Sequence, residues 1–489
     1  METLNVQNND CSLEQELAVK ADVLDAQRKQ REVEMVDIVL DHIAGGVVSK
    51  ETDIMGLMAS GNKNLNQGLK VIVIHEILRA ADGLLWCPMY DEKLKSNQQV
   101  RLYTGSHWEF IPLQRFKDFV DDCAERCGVS ELQRMSPPFM TSLYEAVAFN
   151  VAESRSQHVP EDETWINLKN GTLVIKADGS ATMREHRKED LFTYTLSYAY
   201  DASATCPQWL HFLGRVLPEE SLREVLREFI SYCFRKGHEL EVMMMFLGGG
   251  LNGKSVTLEI IEALLGSMNV SYLSLADLTN DDKKRVCIED KMLNISHESG
   301  KEVNPNVLKQ LTSGEQVIVK HLYRDSYATA NYGKLVAAFN ELPRAENTFG
   351  FFRRLIILPY EVTIPKEEID RDLASKLKQE LSGILNWVLV ALPRLMSRKE
   401  FTHSEKCEQA MERYRLQSDN VKLFLNEECE TSDSLIKGKE LYNAYCNYCR
   451  SSQLKSLSKK KFYERLNRHG FKPQMHGNMI YFNLRIVEE

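Results

Sequence analysis

The stretch VMMMFLGGGLNGKSVTLEIIEALLG constrains this chain more than any other. Residues 242–247 are all apolar, as suits a strand buried on both faces. They run straight into Gly248-Gly249-Gly250-Leu251-Asn252-Gly253-Lys254-Ser255, which fits G-x-x-x-x-G-K-[ST] in full, and a helix pattern follows at once. Glycines let backbone N–H groups turn inward on phosphate oxygens, and the start of the helix adds the positive end of its dipole. The residues expected to bind nucleotide are therefore Gly248, Gly249, Gly250, Leu251, Asn252, Gly253, Lys254, Ser255 and Val256. Lys254 would reach the β- and γ-phosphates and Ser255 would ligate Mg²⁺, so ATP and Mg²⁺ are the expected cofactors.

From Val242 to Tyr360 strand patterns alternate with helix patterns, the signature of an α/β domain. An apolar strand over 292–295 ends in Ser296-His297-Glu298-Ser299. A carboxylate there can hold Mg²⁺ or polarise an attacking water, which makes Glu298 the catalytic and metal candidate. The next strand, KLVAAF, ends in Asn340, which either contacts the γ-phosphate and its water or starts the ELP turn. In FFRRLIILPY, Arg353 and Arg354 precede a further apolar strand. They either form surface ion pairs, or one of them supplies charge to a neighbouring subunit's γ-phosphate.

Two segments suit nucleic acid. QVIVKHLYRDSYATANY has period-two stretches around a basic, aromatic centre, and Lys320, His321, Tyr323 and Arg324 there could grip single-stranded DNA by phosphate attraction and stacking. Near the end, three helix patterns and a hairpin turning at His476-Gly477-Asn478 follow the order of a winged helix. Between Ser451 and Met475 lie seven Lys and Arg side chains and a single acid, Glu464, so Lys459, Lys460, Lys461, Arg465 and Arg468 are expected to contact DNA, the alternatives being a solvated helix face or a winged helix used for protein contacts.

Composition narrows the field. The 489 residues suggest about three domains. The net charge is −9, so DNA contact must come from such local basic patches. The longest apolar run, near Ile384 to Leu392, is far short of the ~18 residues a membrane span needs. The polar start METLNVQNNDCSLEQ does not read as a signal peptide, and eleven scattered cysteines read as reduced thiols, so the expected location is cytoplasmic. Cys446 and Cys449, like Cys123 and Cys127, read as positions on helices. Residues 12–44 are helix-like, and Asp37 and Asp41 there read as solvated rather than as a metal pair.

Several of these motifs in order (GGGLNGKS, LNISHES, LKQLTSGEQVIVKHLYRDSY, KLVAAFNELP and FFRRLIILPY) resemble a superfamily 3 helicase. The resemblance is to the primase-helicases of satellite phages, plasmids and poxviruses, and covers about residues 60–489. It implies an AAA+-like P-loop core with an α+β domain before it and a winged helix after it. The implied divisions are 1–60, 61–205, 206–241, 242–362, 363–417 and 418–489. It implies catalytic roles for Lys254, Glu298, Asn340 and Arg354, with Arg354 matching the arginine finger better than Arg353. His297 stands where relatives carry an acidic or polar residue, and no primase metal centre is evident before Trp165. The function implied is an ATP-dependent DNA helicase of a mobile element or phage. It would form a ring, a hexamer, on single-stranded and forked DNA, with a primase or initiator as partner. The alternatives are an origin-recognition ATPase that uses ATP as an assembly switch, and a nucleic-acid-sensing defence or regulatory ATPase.

Overall fold

The computed structural model describes residues 40, 65–87, 100–153, 157–297, 303–322, 325–343, 349–452, 454, 456–477 and 479–487. Glu298, Tyr323, Arg324, Asp37 and Asp41 lie outside them, as does the helix expected over 12–44 apart from Leu40. Two compact units are present, residues 1–175 with 181–200, and residues 176–180 with 201–489.

In the first unit, helices α1 (Leu65–Ala81), α2 (Leu113–Arg126) and α3 (Pro137–Asn150) accompany a small antiparallel sheet of β1 (Leu85–Trp86), β2 (Arg101–Tyr103) and β3 (Trp108–Phe110). Leu69, Val73 and Ile77 recur every fourth residue and share a core with Phe116, Val120, Leu143 and Val147, one stripe from each helix. A second sheet holds β4 (Glu163–Leu168), β5 (Gly171–Lys176) and β6 (Ala181–Arg184). Asn167 is fully buried, and its Nδ2 donates to Ser106 O and Tyr194 O, both at 2.8 Å. A buried amide is tolerated because each of its polar atoms finds a partner.

The second unit begins with α4 (Pro207–Val216) and α5 (Glu220–Cys233). Its centre is a parallel sheet of β7 (Met243–Leu247), β8 (Val270–Ser271), β9 (Leu293–His297), β12 (Lys334–Phe339) and β13 (Leu355–Pro359). The strands lie in the order β13-β7-β12-β9-β8, with every neighbouring pair parallel. Met243 to Phe246 are all buried, as expected of a central strand covered on both faces. Helix α6 (Lys254–Leu265) follows β7, and α7 (Pro305–Ser313) leads to a separate antiparallel hairpin of β10 (Val317–Val319) and β11 (Tyr327–Thr329).

Beyond β13 come α8 (Leu381–Leu389), α9 (Ala391–Arg398) and α10 (Glu405–Gln417). Glu228, on α5, is 0% exposed and binds these later helices back to the earlier one. Its carboxylate accepts from Arg398 Nη2 at 2.5 Å, Arg394 Nη2 at 3.3 Å, Thr402 N at 2.6 Å and Thr402 Oγ1 at 2.8 Å.

The C-terminal part runs α11 (Asn420–Glu428), β14 (Cys429–Lys437), α12 (Gly438–Ser451), α13 (Lys459–Arg468), β15 (Gln474–His476) and β16 (Met479–Ile486). Its core is aromatic, with Tyr445 and Phe462 stacked at 4.4 Å and Phe424 5.7 Å from Tyr445. The sheet order is β14-β16-β15. Strand β14 is absent from the sequence reading, because CETSDSLIK has little apolar alternation and its pairing slips between Thr431 and Ile436. Cys446 and Cys449 both lie on α12, and Cys123 on α2. Among the described residues no helix is long and apolar enough to cross a membrane. Nor, among them, does any group of three or more His, Cys, Asp or Glu stand together to hold a metal.

Candidate nucleotide site and nucleic-acid interface

The chain leaves β7 for the far edge of the sheet, returns through β9 and β12, and then crosses to β13 on the other side of β7. Ligands of such sheets bind outside the carboxyl ends of the strands where the order reverses. The glycine loop sits at that end of β7. Gly248 N donates to Phe339 O at 3.1 Å, and Tyr360 N donates to Leu247 O at 2.7 Å, so the ends of β12 and β13 brace the loop.

Within the loop, each sequence-predicted residue has a distinct place. Gly253 has φ +87°, and a Cβ there would fall 2.7 Å from Val216 Cγ1, so only glycine fits. Leu251 also has positive φ, +48°, which is unfavourable for a branched side chain. Asn252 is buried, and its Nδ2 donates to Tyr360 O at 3.3 Å while its Oδ1 accepts from Lys254 Nζ at 3.3 Å. Asn252 thus shapes the loop and orients the lysine. Lys254 is only 7% exposed, with its ammonium also donating to Gly248 O inside the loop. Ser255 is exposed on the first turn of α6, and Val256 is half-buried beside it. The backbone beside Gly249 and Gly250 is open, with no heavy atom within 4 Å of where a Cβ would be. Open space beside the glycines, an inward lysine and an exposed serine at a 12-residue helix start suit a nucleoside triphosphate with its Mg²⁺.

Asn340 follows β12 directly and is exposed at this same end of the sheet. The arginines lie at the opposite end, immediately before β13. At roughly 3.3 Å per residue, five residues of β13 put them on the order of 16 Å from its carboxyl end. Arg353 is 43% exposed and its Nη2 meets Glu241 Oε2 at 2.6 Å. Arg354 is 13% exposed, and Glu241 Oε2 is 3.4 Å from its Nη2. Its Nε donates to Ser313 Oγ at 3.0 Å and its Nη1 to Gly350 O at 2.6 Å. Both arginines therefore form ion pairs, with one shared carboxylate.

In the hairpin, His321 stacks on Tyr327 at 5.9 Å, and Tyr327 OH donates to Glu289 Oε2 at 2.5 Å. Lys320 N donates to Asp282 O at 3.0 Å, fixing the backbone where the hairpin bends. The hairpin also exposes Ile318 and Leu322. On α13, Lys459, Lys460, Lys461 and Arg468 are exposed. Arg465 is half-buried, 3.9 Å from Asp419, which also meets His469 Nε2 at 2.9 Å.

Sequence reasoning missed the residues beneath this machinery. Lys334, the first residue of β12, is buried with its ammonium donating to Arg235 O and to Gly237 O at 2.6 Å, and it lies 4.3 Å from the Tyr232 ring centre. Burial pushes its pKa down to about 8. His238 donates from Nε2 to Gly333 O at 3.1 Å, and burial pushes its pKa down to about 4. A lysine opening an otherwise apolar strand was the one available signal.

The geometry is that of a P-loop-like core on a parallel sheet. Residues 88–218 match the family model described as D5 N terminal like, and residues 416–479 match that described as Poxvirus D5 protein-like. Residues 246–354, the core itself, match a family of unknown function, DUF5906. The first two of these stretches make the chain similar to the D5-like primase-helicase group. A putative helicase, 121R, of Invertebrate iridescent virus 3 is 24% identical over 360 residues, covering 64% of this chain and 38% of that protein. One from Acanthamoeba polyphaga mimivirus is 24% identical over 326 residues, covering 60% of this chain and 33% of that protein. The chain thus spans roughly a third of the length of the curated relatives it matches. Among solved structures, the apo NrS-1 C terminal region aligns with 82% of this chain and 96% of its own, at TM-score 0.48 and 10% identity.

Proposed function

We propose that this chain is the motor part of a viral D5-like helicase, hydrolysing ATP to move along single-stranded DNA. The observation that carries this reading is the opposed placement of the P-loop and the Arg353–Arg354 pair at the two ends of one sheet. An arginine on the order of 16 Å from the sheet end that carries its own loop suits a neighbour's nucleotide better than its own, which supports a ring, a hexamer in this reading. Lys254 and Ser255 would hold the phosphates and Mg²⁺, with Glu298 as the acidic partner and Asn340 at the γ-phosphate end. Bound Mg²⁺–ATP supplies phosphoryl transfer to water. The chain's own residues orient the phosphates, hold the water and set the subunit boundary. His321 and Lys320, with Tyr323 and Arg324, would contact the strand in the ring's channel.

The basic helix α13 favours a further role in duplex binding, and the helix–strand–helix–helix–strand–strand order supports a winged helix there. An origin-binding switch without unwinding is the second reading this helix allows.

Paired variants distinguish the two surfaces. Replacing Lys459, Lys460 and Lys461 with Ala should weaken duplex binding and lower the slope of log affinity against log salt by about 3, while leaving ATP turnover intact. Lys320→Ala with Arg324→Ala should keep duplex binding but abolish unwinding. Duplex binding measured at several salt concentrations, beside forked-duplex unwinding, decides both. Unwinding at the parent rate by the hairpin variant would remove the channel assignment, and an unchanged salt slope in the triple variant would remove the duplex role of α13.

A further inference from the structure

Ser313 and Gly314 form the joint between α7 and the β10–β11 hairpin, and three elements grip that joint. Arg354 donates to Ser313 Oγ at 3.0 Å. Gly314 has φ +71°, and a Cβ there would lie 2.9 Å from His238 Cβ, so the histidine side chain packs directly on the turn. Tyr332, whose ring lies 5.0 Å from that of His238, donates to Glu315 O at 2.5 Å. All of this lies at the amino ends of β12 and β13, the end of the sheet that carries the arginines.

The ion pairs extend this grip outward. Glu241 Oε2 meets Arg353 Nη2 at 2.6 Å and Arg354 Nη2 at 3.4 Å. Glu241 stands two residues before β7, which runs into the chain's own nucleotide loop, and its φ is +48°. One strained glutamate therefore joins the exposed arginine, the enclosed arginine and the strand beneath the P-loop.

We propose that Arg353 is the arginine that reaches the neighbouring subunit, and that Arg354 is a positioning residue linking Arg353, through Glu241, to the hairpin joint at Ser313. This rests on the reading of the chain as a ring-forming ATPase. When Arg353 turns from Glu241 to the neighbour's γ-phosphate, Glu241 is left with Arg354 as its partner. Arg354 is then drawn from Ser313 toward Glu241, and the joint at Gly314 is freed to swing the hairpin. The same link works in reverse, because a strand that moves the hairpin moves Arg354 and reorients Arg353. Two alternative sets of hydrogen bonds at one joint are the kind of element through which sites couple.

The test uses the full chain with an oligothymidylate as the single strand. ATP turnover is measured with and without it for the parent, Ser313→Ala, Ser313→Thr and Arg353→Ala, with thermal melting to verify folding. Ser313→Ala should keep strand-free turnover within about twofold of the parent, while stimulation by the strand falls about fivefold or more. Ser313→Thr, which retains the hydroxyl, should restore stimulation. Arg353→Ala should lose turnover, and mixing it with Lys254→Ala subunits should restore part of it.

Parent-like stimulation in Ser313→Ala, with Arg353→Ala inactive and complemented, overturns the coupling while leaving the motor reading standing. Parent turnover in Arg353→Ala overturns the division of roles. A parent chain whose turnover ignores the strand overturns both. If Ser313→Ala does not fold, Glu241→Gln takes its place, with the same loss of stimulation expected and parent-like stimulation again overturning the link.

Discussion

Lys254→Ala should abolish ATP turnover, lowering it by about 10²–10³-fold, as expected for removal of one preorganised charge from phosphoryl transfer. The structure sharpens what else should happen. Lys254 is enclosed by the loop and donates to Gly248 O and Asn252 Oδ1, so alanine also removes hydrogen bonds that support the loop. That should cost stability only on the order of 1 kcal/mol, because neutral acceptors regain water when the loop opens. Turnover and thermal melting of the same preparation separate the two effects. Turnover near the parent rate would reject the nucleotide assignment. A melting temperature close to the parent's with turnover lost would confirm that the lysine acts on phosphate.

Glu228→Ala should be the most damaging single change to stability. Its carboxylate is inaccessible to water and satisfies Arg394, Arg398 and both polar atoms of Thr402 presented to it. Removing one member of a buried ion pair costs about 3–5 kcal/mol, since the remaining charges keep their desolvation without their partner. The arginines are roughly half-exposed, which allows some rehydration and favours the lower part of that range. Denaturant unfolding followed by tryptophan fluorescence is a suitable measure, because Trp209 and Trp387 lie 6.1 Å apart in this unit. A loss under about 1 kcal/mol would put these pairs in the class of ordinary surface salt bridges.

The strand–glycine loop–helix unit was legible in the sequence because its determinants are local. Strand, glycines, lysine and helix are contiguous, and each has a steric or electrostatic reason to be there. The apolar strands KLVAAF and LIILP were legible for the same reason, as was the hairpin over 317–329 with its period-two pattern. What stayed hidden depends on distant partners. The order β13-β7-β12-β9-β8 requires a crossover that no periodicity reports. Arg353 and Arg354 are adjacent and chemically identical in sequence, yet one is exposed and the other enclosed. The difference comes from Ser313, some forty positions earlier, and from Glu241, which looks like any solvated glutamate. Lys334 looks like a strand-end surface charge until the carbonyls of Arg235 and Gly237 are seen to fold over it.

Strand displacement from a forked DNA duplex, by this chain in the presence of ATP, tests the motor reading most directly. Displacement should require hydrolysable ATP, disappear in Lys254→Ala and be lost when Lys320 and Arg324 are replaced. Robust ATP turnover that depends on Lys254, with DNA bound but no strand displaced at any enzyme or ATP concentration, would contradict the motor reading and favour the origin-binding switch.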